Sequence, residues 1–554
     1  MNSSHKKKTA LLIGIAGSKN AFSLSLYNIK AYAQTDPEIK DKWHMPVIQH
    51  PLINIGAFKI QAENELKILS DQVIAQKPDL VAFSCYMWNS KVFEKLASII
   101  RRELPSTLIL WGGPEMTTDY ILEGLYDDYE ADFCISGEGE LTFLELLRNL
   151  TQGNPQLSEI KGLSYRTNGK GAFKVNEKRI PFKSLLEIPS PFLNDVVDQD
   201  VLKRKGVEAN LETQRGCTLR CSYCIYHKDM GKISYNAVDR IINEVLYVCR
   251  QGVKRIRFVD ANFSSDLDHA KAVIKALIKE NIEAKIMFEL IPGFIDEELA
   301  ALFGEFNDLH DWNAITLGIG VQTINYEVLK KMRRGIRLKA FEKTFELLEK
   351  YKIYAKIDLI IGLPGEDIQS IQRTLEYFLD RLRYSSAHLL CCHVMRGLPG
   401  TELLTIAKEH KMEFSSKYEP HELISSPLLP RKDMLKCLRM TAVIFRLVNH
   451  EGWANREFIR GETSQKMTVR DAFFAARERM GISNIELIEA LIEKLIPELK
   501  KRNSNFSQPD FPYAESWWWT WSKMKISDKL IFDLLNSFEK EAHREPPLIA
   551  EKLN

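Results

Sequence analysis

The 554-residue sequence lacks several features that mark a partner or a compartment. It has 76 Lys and Arg against 74 Asp and Glu, so its formal net charge is only +2, and no block of like charge exceeds the short Lys6-Lys7-Lys8. Nucleic-acid-binding domains usually carry a basic patch, and this composition gives no sign of one. No apolar run reaches membrane-spanning length, and the stretch from Thr9 to Ala16 is too short and strand-like for a secretion signal. We therefore expect a cytoplasmic protein with no membrane partner and no clear nucleic-acid partner.

Cysteine is also sparse, with nine residues in the whole chain, yet three of them lie close together at Cys217, Cys221 and Cys224. Cytosolic thiols stay reduced, so this spacing indicates metal ligands rather than disulfide partners. Structural zinc takes four protein ligands, and the nearest candidate for a fourth is His227. An iron–sulfur cubane held by three cysteines would instead leave one iron open to a substrate or cofactor. The spacing alone leaves both metals as alternatives.

The chain is too long for one hydrophobic core, and at roughly 100–200 residues per domain it should form three or four units. The pattern of apolar runs divides it into residues 1–150, a linker with a short hairpin over 151–205, residues 206–417, and a mainly helical segment over 418–554. The Pro-containing stretch IPSPFLNDV lies in the linker and is typical of a domain boundary.

Residues 1–150 alternate short apolar runs with helical patterns, which predicts a doubly wound parallel sheet. The predicted strands are TALLIGIAG, PDLVAFSC, STLILWGG and ADFCISG. Such sheets bind ligands beyond the carboxyl ends of their strands, where glycines let the backbone approach a large ligand. The candidate binding residues at these ends are Gly17, Ser84, Tyr86, Trp88, Gly112, Gly113, Gly137, Glu138 and Gly139.

A second alternating series follows the linker, with the predicted strands ANLETQ, KRIRFVD, AKIMFEL, AITLGIG, AKIDLIIG and AHLLCCHV. Six strands joined by helical crossovers predict a parallel barrel or an open part of one. The cysteine loop follows the first of these strands, at the end of the sheet where such folds place their active sites. The five cysteines in apolar or helical segments are predicted to be small core residues: Cys85, Cys134, Cys249, Cys391 and Cys392.

The last 130 or so residues are mostly helical in pattern and contain few motifs, which predicts a helical cap. The cluster YAESWWWTW contains Trp517, Trp518, Trp519 and Trp521. Consecutive aromatic residues cannot all face inward on one helix, so some are expected to be exposed or to line a groove. Packing between domains and a wall of the substrate pocket are both compatible with this cluster.

The cysteine loop carries a resemblance to a known family. Cys217-x3-Cys221-x2-Cys224, with an aromatic residue at Tyr223, resembles the signature of the radical SAM family. Downstream, FVDANFSSD, GIGVQT, MRRG, GLPGED and GLPGT are similar, in the same order, to segments of the subgroup that also binds cobalamin. PDLVAFSCYMWN, WGGPE and SGEGE resemble the cobalamin-binding domain that precedes many radical SAM domains.

This resemblance implies a fold and three cofactors. The fold is α/β, with an N-terminal doubly wound parallel-sheet cobalamin-binding domain, a central partial (β/α)6 radical SAM barrel and a mainly helical C-terminal domain. The cofactors are a 4Fe-4S cluster, S-adenosylmethionine (SAM) on its open iron, and cobalamin. The strand-end residues named above would hold cobalamin. The residues implied for SAM are Tyr223, Asp260, Glu289, Gln322 and Arg334.

Each SAM assignment has a plainer alternative. Asp260 would instead cap the following helix, Gln322 would satisfy loop backbone, and Arg334 would be solvated surface. The Asp-x-His-x-x-Gly motif, whose histidine ligates cobalt in other cobalamin proteins, is absent from the N-terminal segment. A bulky side chain near Tyr86 and Trp88 is therefore expected to cover the lower face of cobalt.

The implied activity is methylation of an unactivated carbon of a peptide or a small-molecule natural-product intermediate. SAM cleaved at the cluster would give a 5′-deoxyadenosyl radical, which abstracts hydrogen, and the carbon radical would take a methyl group from methylcobalamin. An external donor of the flavodoxin or ferredoxin type would supply the electron. A cyclase, an oxidase or rearrangement enzyme, a non-radical methylase and a non-enzymatic redox or cobalamin sensor are the alternatives.

Overall fold

The computed structural model describes residues 6–17, 20–51, 59–152, 155–166, 171–226, 232–311, 313–382, 388–415, 421–445, 447, 469–502 and 528–542. The chain forms two compact units. Unit 1 comprises Met1–Thr316, Gly397–Thr405 and Tyr418–His421, and unit 2 comprises Leu317–Arg396, Ile406–Lys417 and Glu422–Asn554. The four-part division expected from the sequence stays a prediction. Among the described helices, none combines the length and the apolar character needed to cross a membrane.

An eight-stranded sheet forms the first part of unit 1. Its strands are β1 (Lys8–Ile15), β2 (Trp43–His44), β3 (Val47–His50), β4 (Leu80–Ser84), β5 (Leu108–Gly112), β6 (Phe133–Ile135), β7 (Leu163–Tyr165) and β8 (Lys174–Val175). Their order is β2-β1-β4-β5-β6-β7-β8, with β3 also paired to β1. The first six strands pair in parallel, and β7 and β8 continue the sheet as an antiparallel hairpin. The predicted parallel sheet and hairpin are confirmed, whereas β2 and β3 are too short to show a periodic pattern.

Helices cover both faces of this sheet. They are α1 (Leu24–Ala33), α2 (Pro37–Lys42), α3 (Lys59–Gln76), α4 (Ser90–Glu103), α5 (Thr118–Leu122) and α6 (Glu140–Thr151). Successive strand residues point to opposite faces, so β1 contributes to two cores. Leu11 packs in the core that contains Phe93 of α4, whereas Leu12 packs in the core that contains Phe143 of α6. This division between two cores is the doubly wound arrangement expected from the sequence.

The short helix α7 (Gln199–Leu202) precedes a six-stranded sheet. Its strands, in spatial and sequence order, are β9 (Glu208–Leu211), β12 (Arg255–Phe258), β13 (Lys285–Leu290), β14 (Ile315–Gln322), β15 (Tyr354–Ile361) and β16 (His388–Val394). A two-stranded pair, β10 (Gln214–Arg215) and β11 (Ser234–Tyr235), follows β9. The connecting helices are α8 (Val238–Arg250), α9 (Leu267–Lys279), α10 (Glu297–Leu309), α11 (Tyr326–Lys331), α12 (Leu338–Lys350) and α13 (Ile368–Leu382). Sequential strands with helical crossovers confirm the predicted partial barrel.

The barrel strands have one apolar and one polar face. In β15, Ile357, Leu359 and Ile361 are buried, whereas Lys356 and Asp358, on the opposite face, are only partly buried. Apolar residues on one face pack beneath helices, so the polar face forms the inside of the barrel. Charged side chains are therefore available at the place where such folds bind substrates.

The prediction that five cysteines are core residues is confirmed for Cys85 and Cys134, which are buried. It is wrong for Cys249, Cys391 and Cys392, which are partly exposed. The last two lie in β16, which pairs with β15 and ends the six-stranded sheet among the described residues.

The described residues that follow β16 are mainly helical, as expected. Their elements are α14 (Leu403–Glu409), β17 (Glu413–Phe414), β18 (Leu423–Ser425), α15 (Arg431–Ile444), α16 (Val469–Met480), α17 (Asn484–Arg502) and α18 (Asp528–Ala542). The predicted tryptophan cluster at 517–521 lies outside the described residues.

Candidate functional site

The first sheet reverses its strand order between β1 and β4, and ligands of such sheets bind at this switch point. Gly17, Tyr86 and Trp88 lie in the loops that leave these two strands, and Ser84 ends β4. The indole of Trp88 stacks on Tyr86 with 4.4 Å between ring centroids, and its Nε1 donates to the carbonyl of Ile15 at 3.1 Å. A Cβ on Gly17 would stand 3.4 Å from the same indole. The structure thus brings these four predicted residues into one aromatic patch.

Asn89 holds this patch in place, and sequence reasoning did not identify it. Its Nδ2 donates to the carbonyls of Ile15 and Ser84, both at 3.0 Å, and its Oδ1 accepts from the amide of Tyr86 at 2.8 Å. The side chain is fully buried, so these contacts bridge the ends of β1 and β4. Asparagine before a helix usually indicates a cap, but the side chain of Asn89 makes no capping hydrogen bond to α4.

Gly112 ends β5 and Gly113 follows it, and the structure distinguishes the two glycines. Gly113 has φ +105°, and a Cβ there would stand 2.5 Å from the carbonyl oxygen and 2.8 Å from the amide nitrogen of Cys85. A Cβ on Gly112 would make ordinary contacts. Only Gly113 is therefore required for the close approach of two strand-end loops.

Glu115, two residues beyond Gly113, forms a buried pair that spacing did not reveal. Its Oε1 lies 2.9 Å from Nε2 of His421, and the two residues are 5% and 3% exposed. His421 adopts φ +54°, a left-handed conformation that is uncommon for a residue with a side chain. The amide of Gly397 donates to the carbonyl of His421 at 2.8 Å. Contacts on both its side chain and its backbone therefore hold this residue.

The loop after β6 offers both an open surface and a charged residue. Gly137 has φ +82°, and a Cβ there would meet nothing within 4 Å. The neighbouring Ser136 Oγ is buried and has no hydrogen-bond partner among the described residues. Open glycine backbone and an unsatisfied buried hydroxyl fit a large ligand with polar groups, such as cobalamin. Glu138 is already engaged, because its Oε2 accepts from the amide of Phe182 at 2.7 Å.

The three clustered cysteines lie in the loop between β10 and β11, whose antiparallel pairing closes the loop at its base. Cys221 is buried, and Cys217 and Cys224 are partly exposed. The amide of Tyr226 lies 3.4 Å from Sγ of Cys224, which suits donation to a thiolate. All nine cysteines lie within the described residues as unbridged thiols.

The cysteine spacing left a single zinc ion and an iron–sulfur cluster as alternatives for this loop. In the described ranges, no three His, Cys, Asp or Glu side chains are close enough to hold a single metal ion. A cubane places each cysteine on a different iron, so its ligands stand further apart than those of one zinc ion. His227, the proposed fourth zinc ligand, lies outside the described residues.

Asp260 directly supports the strand that leads into the cysteine loop. Its carboxylate accepts from the amide and hydroxyl of Thr213 at 2.8 and 2.6 Å, and from the amide of Gln214 at 3.2 Å. Burial raises the pKa of Asp260 to about 7. The alternative that Asp260 caps the next helix is wrong, because Asp266 caps α9 through the amide of His269 at 3.0 Å.

Two further predicted SAM residues lie in unit 1. Tyr223 is buried within the cysteine loop. Glu289 lies at the end of β13, on its polar face, with its Oε1 3.7 Å from Nη2 of Arg257. Their contact with SAM stays a prediction.

Gln322 and Arg334 lie in unit 2, where the structure brings them together. A Cβ on Gly320 would stand 2.8 Å from Nε2 of Gln322 and 3.1 Å from Nη2 of Arg334, which also donates to the carbonyl of Gly320. Arg334 is buried, so the alternative that it is solvated surface is wrong. Glu366 of the GLPGED motif accepts from the hydroxyl of Thr323 at 2.7 Å, and burial raises its pKa to about 7.

Unit 2 also contains a charged group that the motifs did not reveal. On the polar face of β15, Asp358 lies 3.0 Å from Nζ of Lys356 and 3.0 Å from Nε2 of His393. Burial acts to raise the pKa of Asp358, but the hydrogen bond from His393 and the charge of Lys356 outweigh it and hold the pKa below its usual value. His393 comes from β16, so only strand pairing brings the three together.

Arg215 joins the cysteine loop to the loop after β6. Its guanidinium contacts Glu138 at 3.0 Å and Glu140 at 2.8 Å, and binds both oxygens of Glu212 at 2.6 and 3.0 Å. Burial alone would lower the pKa of Arg215, but the three carboxylates raise it well above its usual value. Burial raises the pKa of Glu138 despite the opposing charge of Arg215. Sequence reasoning missed Arg215, although it lies two residues before Cys217.

Comparison with known proteins agrees with this arrangement. Residues 211–378 match the model of the Radical SAM superfamily, and residues 58–147 match the model of the B12 binding domain. TokK, a cobalamin-dependent radical SAM methyltransferase of Streptomyces tokunonensis, is 26% identical over 361 residues, covering 62% of this chain and 49% of that protein. An uncharacterized methyltransferase of Pyrococcus horikoshii is 26% identical over 403 residues, covering 69% of this chain and 84% of that protein. The chain thus spans about half the length of TokK.

A solved structure shares the fold. The radical S-adenosylmethionine methyltransferase TsrM from Kitasatospora setae, with cobalamin and a 4Fe-4S cluster bound, superposes with a TM-score of 0.60. The match covers 97% of this chain and 100% of that chain at 14% identity. In this chain, a segment that matches the model of the B12 binding domain is therefore followed by one that matches the model of the Radical SAM superfamily.

Proposed function

We propose that this protein is a cobalamin-dependent radical SAM enzyme that methylates an unactivated carbon of a peptide or a small-molecule natural-product intermediate. The observation that supports this most is the buried junction at Arg215. It connects the cysteine loop with the loop after β6 inside one compact unit. Two relatives named as methyltransferases support the reaction class.

Cys217, Cys221 and Cys224 would ligate three irons of a 4Fe-4S cluster and leave the fourth for SAM. When bound, the cluster supplies an electron for SAM cleavage and cobalamin supplies the methyl group. Asp260 would keep the cluster loop in position through Thr213 and Gln214, because its carboxylate is anchored to the backbone before the first cysteine. An electron donor of the flavodoxin or ferredoxin type in the cytoplasm would serve such a cluster.

SAM would be bound by the residues that the family resemblance implies. Tyr223, Asp260, Glu289, Gln322 and Arg334 are proposed as its binding residues. Arg334 is suited to a carboxylate because its planar guanidinium can donate to both oxygens.

Cobalamin would lie at the switch point of the first sheet and along the open backbone of Gly137. Trp88 and Tyr86 would cover the lower face of cobalt and exclude water from it. The indole is suited to this role, because its hydrogen bond to Ile15 and its stacking on Tyr86 fix its orientation before any ligand arrives. At 37% exposure, it still presents surface to a ligand.

Anaerobic reconstitution with iron, sulfide and cobalamin tests the cofactors. Four irons and one cobalt per chain are expected from the proposed cubane and single cobalamin. Replacing Cys217, Cys221 and Cys224 together with alanine should abolish iron binding and leave cobalt binding intact. The matched control Cys249→Ala, in α8, should bind both. Full iron content in the triple variant would contradict the ligand assignment.

The reaction is tested with methyl-deuterated SAM and the candidate substrates indicated by neighbouring genes. Deuterated methyl in the product, together with 5′-deoxyadenosine, is the expected result, because a second SAM would resupply the methyl group that cobalamin donates. Labelled product without 5′-deoxyadenosine would favour a non-radical methylase. Unlabelled product with 5′-deoxyadenosine would replace the methyltransferase proposal by a cyclase or an oxidase. Cofactor binding without SAM cleavage would favour a sensor.

A further inference from the structure

We infer that Arg215 is a positioning residue that sets the spacing between the two cofactor loops. This inference rests on the proposed function, because it assumes that the cysteine loop and the loop after β6 hold a cluster and cobalamin. It goes further by assigning the spacing to one side chain. Radical chemistry that uses two cofactors requires both to reach one substrate atom, so their separation is a catalytic variable.

The guanidinium engages carboxylates from two separate parts of unit 1. Nη1 contacts Glu138 of the loop after β6, and Nη2 contacts Glu140, the first residue of α6. Nε and Nη2 contact Glu212, which lies between β9 and β10. One rigid, planar group thus bridges the cobalamin-binding segment and the approach to the first cysteine.

The partners of Arg215 are themselves held in place. Oε2 of Glu138 accepts from the amide of Phe182 at 2.7 Å, and Oε1 of Glu212 accepts from Nδ2 of Asn28 at 2.8 Å. Glu140 lies in the first turn of α6, where the helix dipole favours a carboxylate. Moving Arg215 therefore breaks contacts that cannot re-form elsewhere in the same geometry.

Burial makes the loss of any of these ion pairs energetically costly. The side chains of Arg215, Glu138, Glu140 and Glu212 are all at least four-fifths buried. A buried charge that loses its partner is strongly unfavourable, so the loops cannot separate while the pairs stay desolvated. Cys217 is only two residues away, or at most about 7 Å of extended chain, so little slack remains between Arg215 and the cluster.

Charge alone would not require arginine. A lysine at this position would keep the positive charge, but its ammonium cannot donate to three carboxylates through a planar fork. Arg215→Lys therefore separates geometry from charge. Arg101→Lys is a matched control, because Arg101 forms a partly buried pair with Asp132 at 2.8 Å in the same unit and touches neither loop.

The test measures the separation of the two cofactors without a substrate. Wild type, Arg215→Lys and Arg101→Lys are reconstituted anaerobically with iron, sulfide and cobalamin, and their iron and cobalt contents are counted. Electron paramagnetic resonance then measures how strongly the reduced cluster speeds the relaxation of cob(II)alamin. This dipolar effect falls steeply with distance, so it reports spacing rather than activity.

We expect Arg101→Lys to behave as wild type and Arg215→Lys to load both cofactors with a several-fold weaker relaxation effect. Glu138→Gln keeps the shape of the side chain, removes one ion pair, and should weaken the effect in the same direction. It serves as the test if Arg215→Lys does not fold. Wild-type relaxation in a loaded Arg215→Lys, or in a loaded Glu138→Gln, would overturn the inference. Failure of the wild type to bind iron or cobalt would instead overturn the proposed function, and the inference with it.

Discussion

Replacing Gly113 by alanine should destabilise the apoprotein through packing, independently of any ligand. The Cβ would stand 2.5 Å from the Cys85 carbonyl oxygen, and the obstacle is backbone rather than a flexible side chain. Forcing extra volume into a packed site typically costs ~1–3 kcal/mol. Holding an alanine at φ +105° adds about 1–3 kcal/mol. The sum is roughly 2–6 kcal/mol.

Urea unfolding of the apoproteins, followed by circular dichroism, measures this cost. With an m-value of about 2 kcal/mol/M, the midpoint of the first-sheet transition should fall by roughly 1–3 M. Gly252→Ala is the control for backbone conformation, because Gly252 has φ +91° and a Cβ there would meet nothing within 4 Å. The free energy of unfolding of Gly252→Ala should fall only by the cost of holding an alanine at positive φ. Equal losses in the two variants would refute the argument that Cys85 excludes a side chain.

Gly137→Ala extends the comparison to the ligand. Gly137 also has a positive φ and open space, so its apoprotein should resemble Gly252→Ala. Since Gly137 is proposed to lie against cobalamin, Gly137→Ala should bind cobalamin more weakly than the wild type does. Gly252→Ala should bind it as the wild type does. Titration of the apoproteins with cobalamin checks this, and equal affinities would remove Gly137 from the proposed site.

Three other predictions follow from the site. Trp88→Ala should change the absorption spectrum of bound cobalamin, because it uncovers the proposed lower face of cobalt, and an unchanged spectrum would remove Trp88 from the site. Glu115→Leu and His421→Leu should each destabilise the apoprotein by about 1–3 kcal/mol, because each removes one hydrogen-bonding group and leaves its buried polar partner unsatisfied. A double-mutant cycle in urea should show coupling between them, and simple additivity would contradict the pair. Glu366 has a folded-state pKa of about 7 against an ordinary 4.5, so the folded state retains a proton that the unfolded state loses. The free energy of unfolding should therefore fall by up to about 3 kcal/mol as pH rises from 4.5 to 7, and Glu366→Gln should flatten this slope.

Much of the fold was predictable because most strands and helices show a pattern in their own short stretch of sequence. Apolar runs such as PDLVAFSC and AKIDLIIG are long enough to show a strand, and helical patterns separate them. The runs of two and four residues at β2 and β3 are too short for any period, so they were missed. The exposure of Cys391 was mispredicted because an apolar strand does not show whether it lies at the centre or the edge of a sheet.

The cysteine triplet could likewise be recognised from the sequence, since all three proposed ligands belong to one short loop. Arg215 stands beside that triplet, but its partners Glu138 and Glu140 are more than seventy residues upstream. Glu115 and His421 are 306 residues apart in the chain. No spacing rule connects such residues.

By itself, the sequence determined the order of strands and helices, the two domain types and the three thiols, because each depends on neighbours along the chain. The tertiary structure alone decided which charges meet, which glycine has no room for a side chain and which carboxylates are buried. Those properties depend on which strands lie side by side and on what surrounds their ends. The junction between the two cofactor loops is therefore a product of folding, although the loops it joins were visible beforehand.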